Sequence, residues 1–168
     1  PHVLLAGPPG VGKTATITSF ARDYYGDSWQ SNFREFNASD DRGIDVIRND
    51  VKQWCRKAPA DGFPFKIVFL DESDQLTSDA QPALRRIMEQ YSDSTRFALS
   101  CNYSNEIIGP LQSRCADMHF GRLDSDDIRE LVDRVIDAEG IEAEEPAIQK
   151  IVRASRGQAR DALMTLQT

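Results

Sequence analysis

Positions 7–14, Gly-Pro-Pro-Gly-Val-Gly-Lys-Thr, constrain the fold of this 168-residue chain more than any other segment. They match GxxxxGK[ST] and stand between a short apolar run, residues 3–6, and a segment of helical periodicity, residues 13–25. Glycines let the backbone bend so that its N–H groups and the N-terminus of the next helix bind phosphate oxygens. In such a loop Lys13 reaches the β- and γ-phosphates, and the Thr14 hydroxyl is a ligand of Mg²⁺. The predicted triphosphate-binding residues are Gly7, Pro8, Pro9, Gly10, Val11, Gly12, Lys13 and Thr14.

A second half of this site is predicted where the clearest apolar strand ends. Residues 65–70, Phe-Lys-Ile-Val-Phe-Leu, are followed directly by Asp71 and Glu72. Asp71 is expected to hold Mg²⁺ through its water shell, and Glu72 to polarise the attacking water. Acidic pairs are common in surface loops. A position directly after an apolar strand, in a chain with a phosphate loop, favours the functional interpretation.

Strand and helix patterns alternate through residues 1–121, which predicts an α/β fold with a parallel sheet covered by helices on both faces. Further strands are expected at residues 33–36 and 96–100. From residue 122 to 168 only helical patterns occur, so we expect a small helical subdomain there. Because the chain begins directly before a strand, without Met, and stops inside a helix, we expect it to be an excerpt of a longer protein.

Three polar residues are weaker candidates for contacting the γ-phosphate or the attacking water. Asn102 follows an apolar strand, where its amide can orient water, but a polar residue at a strand end is often only a turn former. Arg114 and Arg160 can supply positive charge. Taken alone, each is better explained as a solvated surface arginine.

Composition limits the classes of partner. Twenty Lys and Arg against 27 Asp and Glu give a net charge of −7, which excludes a uniformly basic surface but leaves room for a local basic face. Three cysteines, never spaced as CxxC, argue against a disulfide scaffold or a zinc site and favour a reducing compartment. No apolar run approaches the ~20 residues that cross a bilayer, so no membrane partner is expected.

Five longer segments together resemble the AAA+ ATPases, and within them the small subunits of replication factor C, the archaeal and eukaryotic clamp loader. The segments are GPPGVGKT (7–14), FNASDDRGIDVIR (36–48), IVFLDESDQLTSDAQPALRRIMEQYS (67–92), FALSCNYSNEIIGPLQSRC (97–115) and RGQARDAL (156–163). The phosphate loop alone indicates only a superfamily. NASDDRGI, SCNYSNEII and QSRC are far more restrictive.

The resemblance implies a P-loop NTPase core at residues 1–121, a helical lid at residues 122–168, and ATP with Mg²⁺ as ligands. It also implies roles for the weaker candidates. Asn102 resembles the sensor 1 residue and Arg160 the sensor 2 arginine of the lid. Arg114, in Ser-Arg-Cys, resembles an arginine finger that acts in trans on the ATP of an adjacent subunit, a contribution of about 10³–10⁵ in rate. An isolated chain is therefore expected to hydrolyse ATP poorly.

This sequence departs from the family pattern in two places. The usual Asp-Glu-Ala-Asp box reads Asp71-Glu72-Ser73-Asp74, which keeps the two chemical residues. The lid motif usually has an acidic residue and Met before its arginine, whereas Gly157-Gln158-Ala159 precede Arg160 here. The family's N-terminal segment, which helps to hold adenine, and its C-terminal collar, which assembles the ring, are both outside this sequence.

A clamp loader also implies primer-template DNA, a sliding clamp of the PCNA type and other replication factor C subunits in a hetero-oligomeric ring. DNA would be held by its backbone, independently of base sequence. The candidate DNA contacts are Arg42, Arg48, Arg85 and Arg86. The alternative is that these arginines are solvated or pair within the chain with Asp45, Asp50 or Glu89. Trp54 is a candidate clamp contact, although a core position is favoured.

The resemblance implies that ATP binding and hydrolysis drive loading of the clamp onto primed DNA in replication. The compartment would be the cytoplasm, with nucleoid association, in an archaeon and the nucleus in a eukaryote. Two alternatives stay open. The subunit could be a nucleotide-gated structural module that mainly donates Arg114 to its neighbours, or the chain could belong to another AAA+ DNA motor such as a branch-migration helicase.

Overall fold

Five strands and nine α-helices alternate in a computed structural model that describes residues 1–39 and 44–167. The strands are His2–Ala6 (β1), Phe33–Asn37 (β2), Lys66–Asp71 (β3), Thr95–Cys101 (β4) and Cys115–His119 (β5). The helices are Lys13–Tyr25 (α1), Trp29–Asn32 (α2), Ile44–Val46 (α3), Lys52–Arg56 (α4), Ala80–Gln90 (α5), Gly109–Gln112 (α6), Ser125–Glu139 (α7), Glu145–Ser155 (α8) and Ala159–Leu166 (α9). A π-helical stretch, Ile47–Val51, joins α3 to α4. None of the helices in the described ranges combines the length and apolar character needed to cross a membrane.

All five strands are parallel and follow the order β2-β3-β4-β1-β5. The predicted parallel α/β architecture is therefore confirmed. β1 lies between β4 and β5, and Ala6 at its end is level with Cys101 on one side and His119 on the other. The central strands have buried side chains on both faces, as a helix-covered parallel sheet requires, whereas β2 and β5 are edge strands and more exposed.

One core cluster forms where β1, β3 and β4 are covered by the helical stretch 44–56 and by α5. Leu84 and Met88 of α5 are fully buried, four residues apart, as on one face of a helix. Trp54 is half-buried and packs against this cluster. The packing fixes β3 and β4, and the residues that follow these strands, relative to one another.

The chain divides into two compact units: Pro1–Gly7 with Lys13–His119, and Pro8–Gly12 with Phe120–Thr168. The first is the α/β unit described above. The second contains α7, α8 and α9 together with the central residues of the glycine-rich loop. We keep the domain boundary at residues 121/122 as a prediction.

The helical unit has its own small core of Ile128, Val132, Ile148 and Ala162. Helix α7 begins at an N-cap, Asp124, whose carboxylate accepts from the N–H of Asp127 at 2.9 Å. It ends at Gly140, whose φ of 65° is the left-handed conformation common after a helix.

Candidate active site

The carboxyl ends of β1, β3 and β4 lie at one edge of the sheet, which brings together the residues that follow these strands. The N–H of Gly7 donates to the carbonyl of Cys101 at 3.1 Å, and the N–H of Ala38 donates to that of Asp71 at 2.9 Å. Ligands of open parallel sheets bind at this edge, beside the strand where the order reverses. The sheet order places β1, and the Lys13 that begins α1, at that position.

Lys13 begins α1 and is 8% exposed. Its ammonium donates to the carbonyl of Gly7 at 2.7 Å and to Oδ1 of Asn102 at 3.1 Å. A buried cation is stable only when its donors are satisfied, and these two oxygens hold its position. The structure therefore brings Lys13 and Asn102 together although they are 89 residues apart.

Thr14 and Asp71 form the second contact of the site. The Thr14 hydroxyl donates to Oδ2 of Asp71 at 2.9 Å, and the other carboxylate oxygen accepts from the N–H of Glu72 at 3.0 Å. Glu72 has a left-handed backbone, with φ 52° and ψ 41°, which is unfavourable for a residue with a side chain. The backbone therefore turns sharply at Glu72, directly after β3.

Asp74 holds the backbone next to the site in place, a role that was not predicted from the sequence. It is 8% exposed, and its Oδ2 accepts from the N–H of Asn102 at 3.0 Å and of Tyr103 at 3.2 Å. Its carboxylate therefore fixes the backbone that carries the Asn102 amide. The available signal was the fourth position of the acidic box after β3. Burial, and then the charge of Asp74, raise the pKa of the neighbouring Cys101 thiol to about 11, so that thiol is neutral.

The middle of the glycine-rich loop belongs to the helical unit. Pro8 is half-buried, Pro9 is exposed and Val11 is buried. Gly10 has φ +75°, and a Cβ there would lie 3.3 Å from both the Cβ of Arg160 and Oε1 of Gln158. The N–H of Arg160 donates to the Gly10 carbonyl at 3.2 Å, while Arg160 itself is exposed.

Arg114, between α6 and β5, forms its hydrogen bonds in the α/β unit away from Lys13 and Asp71. Its guanidinium donates to the carbonyl of Pro110 at 2.7 Å and to Oε1 of Glu89. It bonds neither to the Lys13–Asn102 pair nor to the Thr14–Asp71 pair at the carboxyl edge of the sheet.

The candidate DNA-contacting arginines differ in environment. Arg48 and Arg86 are exposed. Arg85 is half-buried and has an intrachain ion-pair partner, with its Nε 3.8 Å from Oε1 of Glu89, and its contact with DNA stays a prediction. Arg42 lies outside the described residues.

The side-chain oxygens of Thr14 and Asp71 suit a magnesium ion, because a hydroxyl and a carboxylate are hard oxygen ligands. Within residues 1–39 and 44–167 there is no group of three His, Cys, Asp or Glu side chains able to hold a metal by itself. Mg²⁺ retains waters readily and takes further oxygens from phosphates, so a site with two protein ligands suits it in the presence of a triphosphate.

A parallel sheet of this order, a glycine-rich phosphate loop after β1 and an Asp-Glu pair at the end of β3 define the fold of a P-loop nucleotide hydrolase. Residues 3–122 match the family described as ATPases associated with various cellular activities (AAA), and the chain belongs to that family. Residues 127–167 match the ATPase lid domain of the DNA polymerase III clamp loader subunit.

Within this family, the chain is similar to curated proteins named replication factor C small subunit. It is 52% identical over 168 residues to that of Methanocella arvoryzae, covering 100% of this chain and 52% of the relative. It is 50% identical over 167 residues to that of Archaeoglobus fulgidus, covering 99% of this chain and 52% of the relative. The chain thus spans about half the length of the curated relatives it matches.

Solved structures with a similar fold include the Thermotoga maritima RuvB Holliday junction branch migration motor, at a TM-score of 0.75 and 22% identity. A point mutant of the same motor matches with a TM-score of 0.77 and 21% identity. Each match covers 97% of this chain and 52% of the other. At this identity the likeness supports the fold alone.

Proposed function

We propose that this chain is the ATP-hydrolysing part of a clamp loader subunit, which uses ATP to place a sliding clamp on primed DNA. The observation that carries the proposal is the network of two partly buried pairs at the carboxyl edge of the sheet. There Lys13 meets Asn102 and Thr14 meets Asp71 in a chain similar over its full length to replication factor C small subunits. The branch-migration alternative is not favoured, because the solved branch migration motor is 22% identical to this chain whereas a replication factor C small subunit is 52% identical.

Each residue of the network has a role that follows from its chemistry. The glycine-rich loop, residues 7–14, would cradle the phosphates, with Lys13 donating to the β- and γ-phosphate oxygens. Thr14 and Asp71 would hold Mg²⁺, which neutralises phosphate charge when bound. The Asn102 amide would orient the attacking water, and Glu72 would accept its proton as water binds phosphorus and the bond to the ADP oxygen breaks.

Two further residues complete the proposed reaction. Arg114 would act in trans, stabilising charge on the γ-phosphate of ATP bound by an adjacent subunit. Arg160, on α9, would contribute positive charge to its own subunit's nucleotide. DNA would be held through Arg42, Arg48, Arg85 and Arg86, and the clamp and neighbouring subunits would be the protein partners.

The test is the ATPase rate of the full-length protein, assembled with its partner subunits, with and without clamp and primed DNA. We expect both ligands to stimulate hydrolysis. Stimulation by neither would remove the clamp loader assignment.

Glu72→Gln separates a hydrolysing subunit from a structural one. In a hydrolysing subunit this change abolishes its turnover and traps the clamp on DNA, because ATP still binds. In a nucleotide-gated structural subunit loading and release change little. Glu142→Gln, at an exposed carboxylate between α7 and α8, is the matched control.

A further inference from the structure

One carboxylate, that of Glu89, faces two arginines that the proposed function uses. Its Oε1 accepts from the Arg114 guanidinium and lies 3.8 Å from Nε of Arg85. Glu89 stands on the last turn of α5, whereas Arg114 lies 25 residues further along the chain, between α6 and β5. The contact is therefore tertiary, and the fold of the α/β unit creates it.

The position of Glu89 is unfavourable for helix α5 itself. The carbonyl end of a helix carries partial negative charge, so an acid in the last turn is disfavoured. Nearly half of the side chain is exposed, at 43%, so apolar burial does not account for it either. Among the described residues, the ion pairs that favour a carboxylate at this position are those with Arg114 and Arg85.

The contact competes with the proposed use of Arg114. A guanidinium that binds the triphosphate of a neighbouring subunit must move away from the carboxylate of its own chain, because it cannot form a full ion pair with both anions at once. The Arg114 and Glu89 side chains are 35% and 43% exposed, and ion pairs at such exposure are weak enough to exchange. The bond from Arg114 to the Pro110 carbonyl does not depend on Glu89 and can keep the side chain nearby.

We infer that Glu89 is a positioning residue that holds Arg114 on its own chain and so restrains ATP hydrolysis in the ring. This inference rests on the proposed function, specifically on Arg114 acting in trans. When Arg114 engages the neighbouring triphosphate, phosphate oxygens replace the carboxylate as its acceptor. Glu89 touches neither nucleotide nor reacting atoms, and acts only through Arg114.

The first test compares Glu89→Gln with the unaltered full-length ring, with ATP and Mg²⁺ but without DNA or clamp. The amide keeps the shape of the side chain and removes its charge. We expect kcat to rise about two- to fivefold, the range that an exposed ion pair supplies, with KM for ATP unchanged. Glu89→Asp retains the charge, so its kcat should lie between those of the unaltered ring and Glu89→Gln. An unchanged or lower kcat for Glu89→Gln would overturn the inference.

Glu130→Gln is the matched control, because Glu130 also pairs with an arginine on an exposed helix face, Arg134, at 2.8 Å. It should leave kcat unchanged. A rise in the control equal to that in Glu89→Gln would show that lost surface charge alone raises the rate, and would reject the specific role.

A double-mutant cycle with Arg114→Ala separates failure of this inference from failure of the proposed function. If Glu89 acts through Arg114, Glu89→Gln has no effect once Arg114 is alanine. An equal rise in both backgrounds overturns the inference but leaves the finger role intact. If Arg114→Ala alone leaves the ring's ATPase unchanged, the finger role itself is wrong and the inference falls with it.

Discussion

Two groups of polar side chains in the α/β unit differ in how firmly the fold holds them. The first, at the carboxyl edge of the sheet, contains the bonded pairs Lys13–Asn102 and Thr14–Asp71. It includes the buried residues Lys13 and Asp74, both 8% exposed. The second, Arg114 with Glu89, is about two-fifths exposed and held by one ion pair and one carbonyl. A buried polar network is costly to break because it leaves unsatisfied groups, whereas an exposed pair exchanges partners cheaply. The difference agrees with the proposal that the first group acts in its own subunit and that Arg114 acts on another.

Arg114→Ala should give the largest effect and the sharpest contrast. We expect the ATPase rate of the assembled ring to fall about 10³-fold, because in the proposed mechanism Arg114 stabilises transition-state charge on the ATP of the adjacent subunit. We also expect the free energy of unfolding to change by less than about 1 kcal/mol, since the lost pair is exposed. ATPase assays and urea denaturation of the full-length protein measure the two quantities. Arg153→Ala, on an exposed face of α8, is the control, and a large loss of stability in Arg114→Ala would contradict the comparison.

Lys13→Ala should act within its own subunit. We expect the affinity for ATP to fall about 100-fold, because charge-assisted bonds from a buried ammonium to phosphate oxygens are lost. Calorimetric titration of the full-length protein with ATP and Mg²⁺ measures this, with Lys150→Ala as the exposed control. The same titration on Arg114→Ala should show nearly unchanged affinity in isolated subunits. If the two variants weakened binding equally, the division into own-subunit and trans residues would fail.

Asp74→Ala tests whether the Asp74 carboxylate stabilises the first group by holding the backbone at Asn102. Two backbone N–H groups, of Asn102 and Tyr103, would lose their acceptor, so we expect about 2 kcal/mol less stability. We also expect slower hydrolysis, because the Asn102 amide is no longer held. Asp74→Asn keeps one acceptor oxygen and should cost less. Asp93→Ala, at an exposed position, should be neutral in both urea denaturation and ATPase assays.

The sequence predicted those parts of the molecule that depend on local pattern. The motif between β1 and α1 indicated Lys13 and Thr14, and the apolar run before Asp71 indicated β3, because buried parallel strands have continuous apolar sequence. Local pattern could not indicate the partner of each side chain. Lys13 meets Asn102 across 89 positions only because β1 lies beside β4, and strand order is a tertiary property.

The same limit explains what was missed around Arg114. Sequence reasoning considered Glu89 as a helix-spaced partner for the candidate DNA-binding arginines, since residues four apart on a helix are neighbours. Arg85 indeed lies 3.8 Å from it. The closer contact, from Arg114, arises from how α6 and the start of β5 lie against α5, which no local spacing encodes. Nor does the sequence indicate the left-handed backbone at Glu72, because that residue is not glycine.

The smallest expected effect concerns His2, which is buried in β1 and accepts at Nδ1 from the N–H of Phe97 at 3.1 Å. Burial, and then the charge of Arg96, lower its pKa from 6.5 to about 4. Above pH 6.5 both folded and unfolded forms are neutral and no stability is lost. As the pH falls toward 4, the unfolded state binds the proton first, so we expect His2 to cost about 1–2 kcal/mol of folding stability. His2→Asn, whose Oδ1 can accept the same bond, should remove that dependence.

Urea denaturation of the full-length protein at pH 7.5 and pH 5 measures the difference between His2→Asn and the unaltered chain. Between pH 7.5 and pH 5, the free energy of unfolding should fall less for His2→Asn than for the unaltered chain. His119→Asn, at the exposed end of β5, should show no such shift. Because the Arg114 charge also contributes to holding His2 neutral, Arg114→Ala should slightly weaken the pH dependence. That coupling would link buried His2 electrostatically to the exposed Arg114–Glu89 pair. A pH dependence of Arg114→Ala equal to that of the unaltered chain would contradict it.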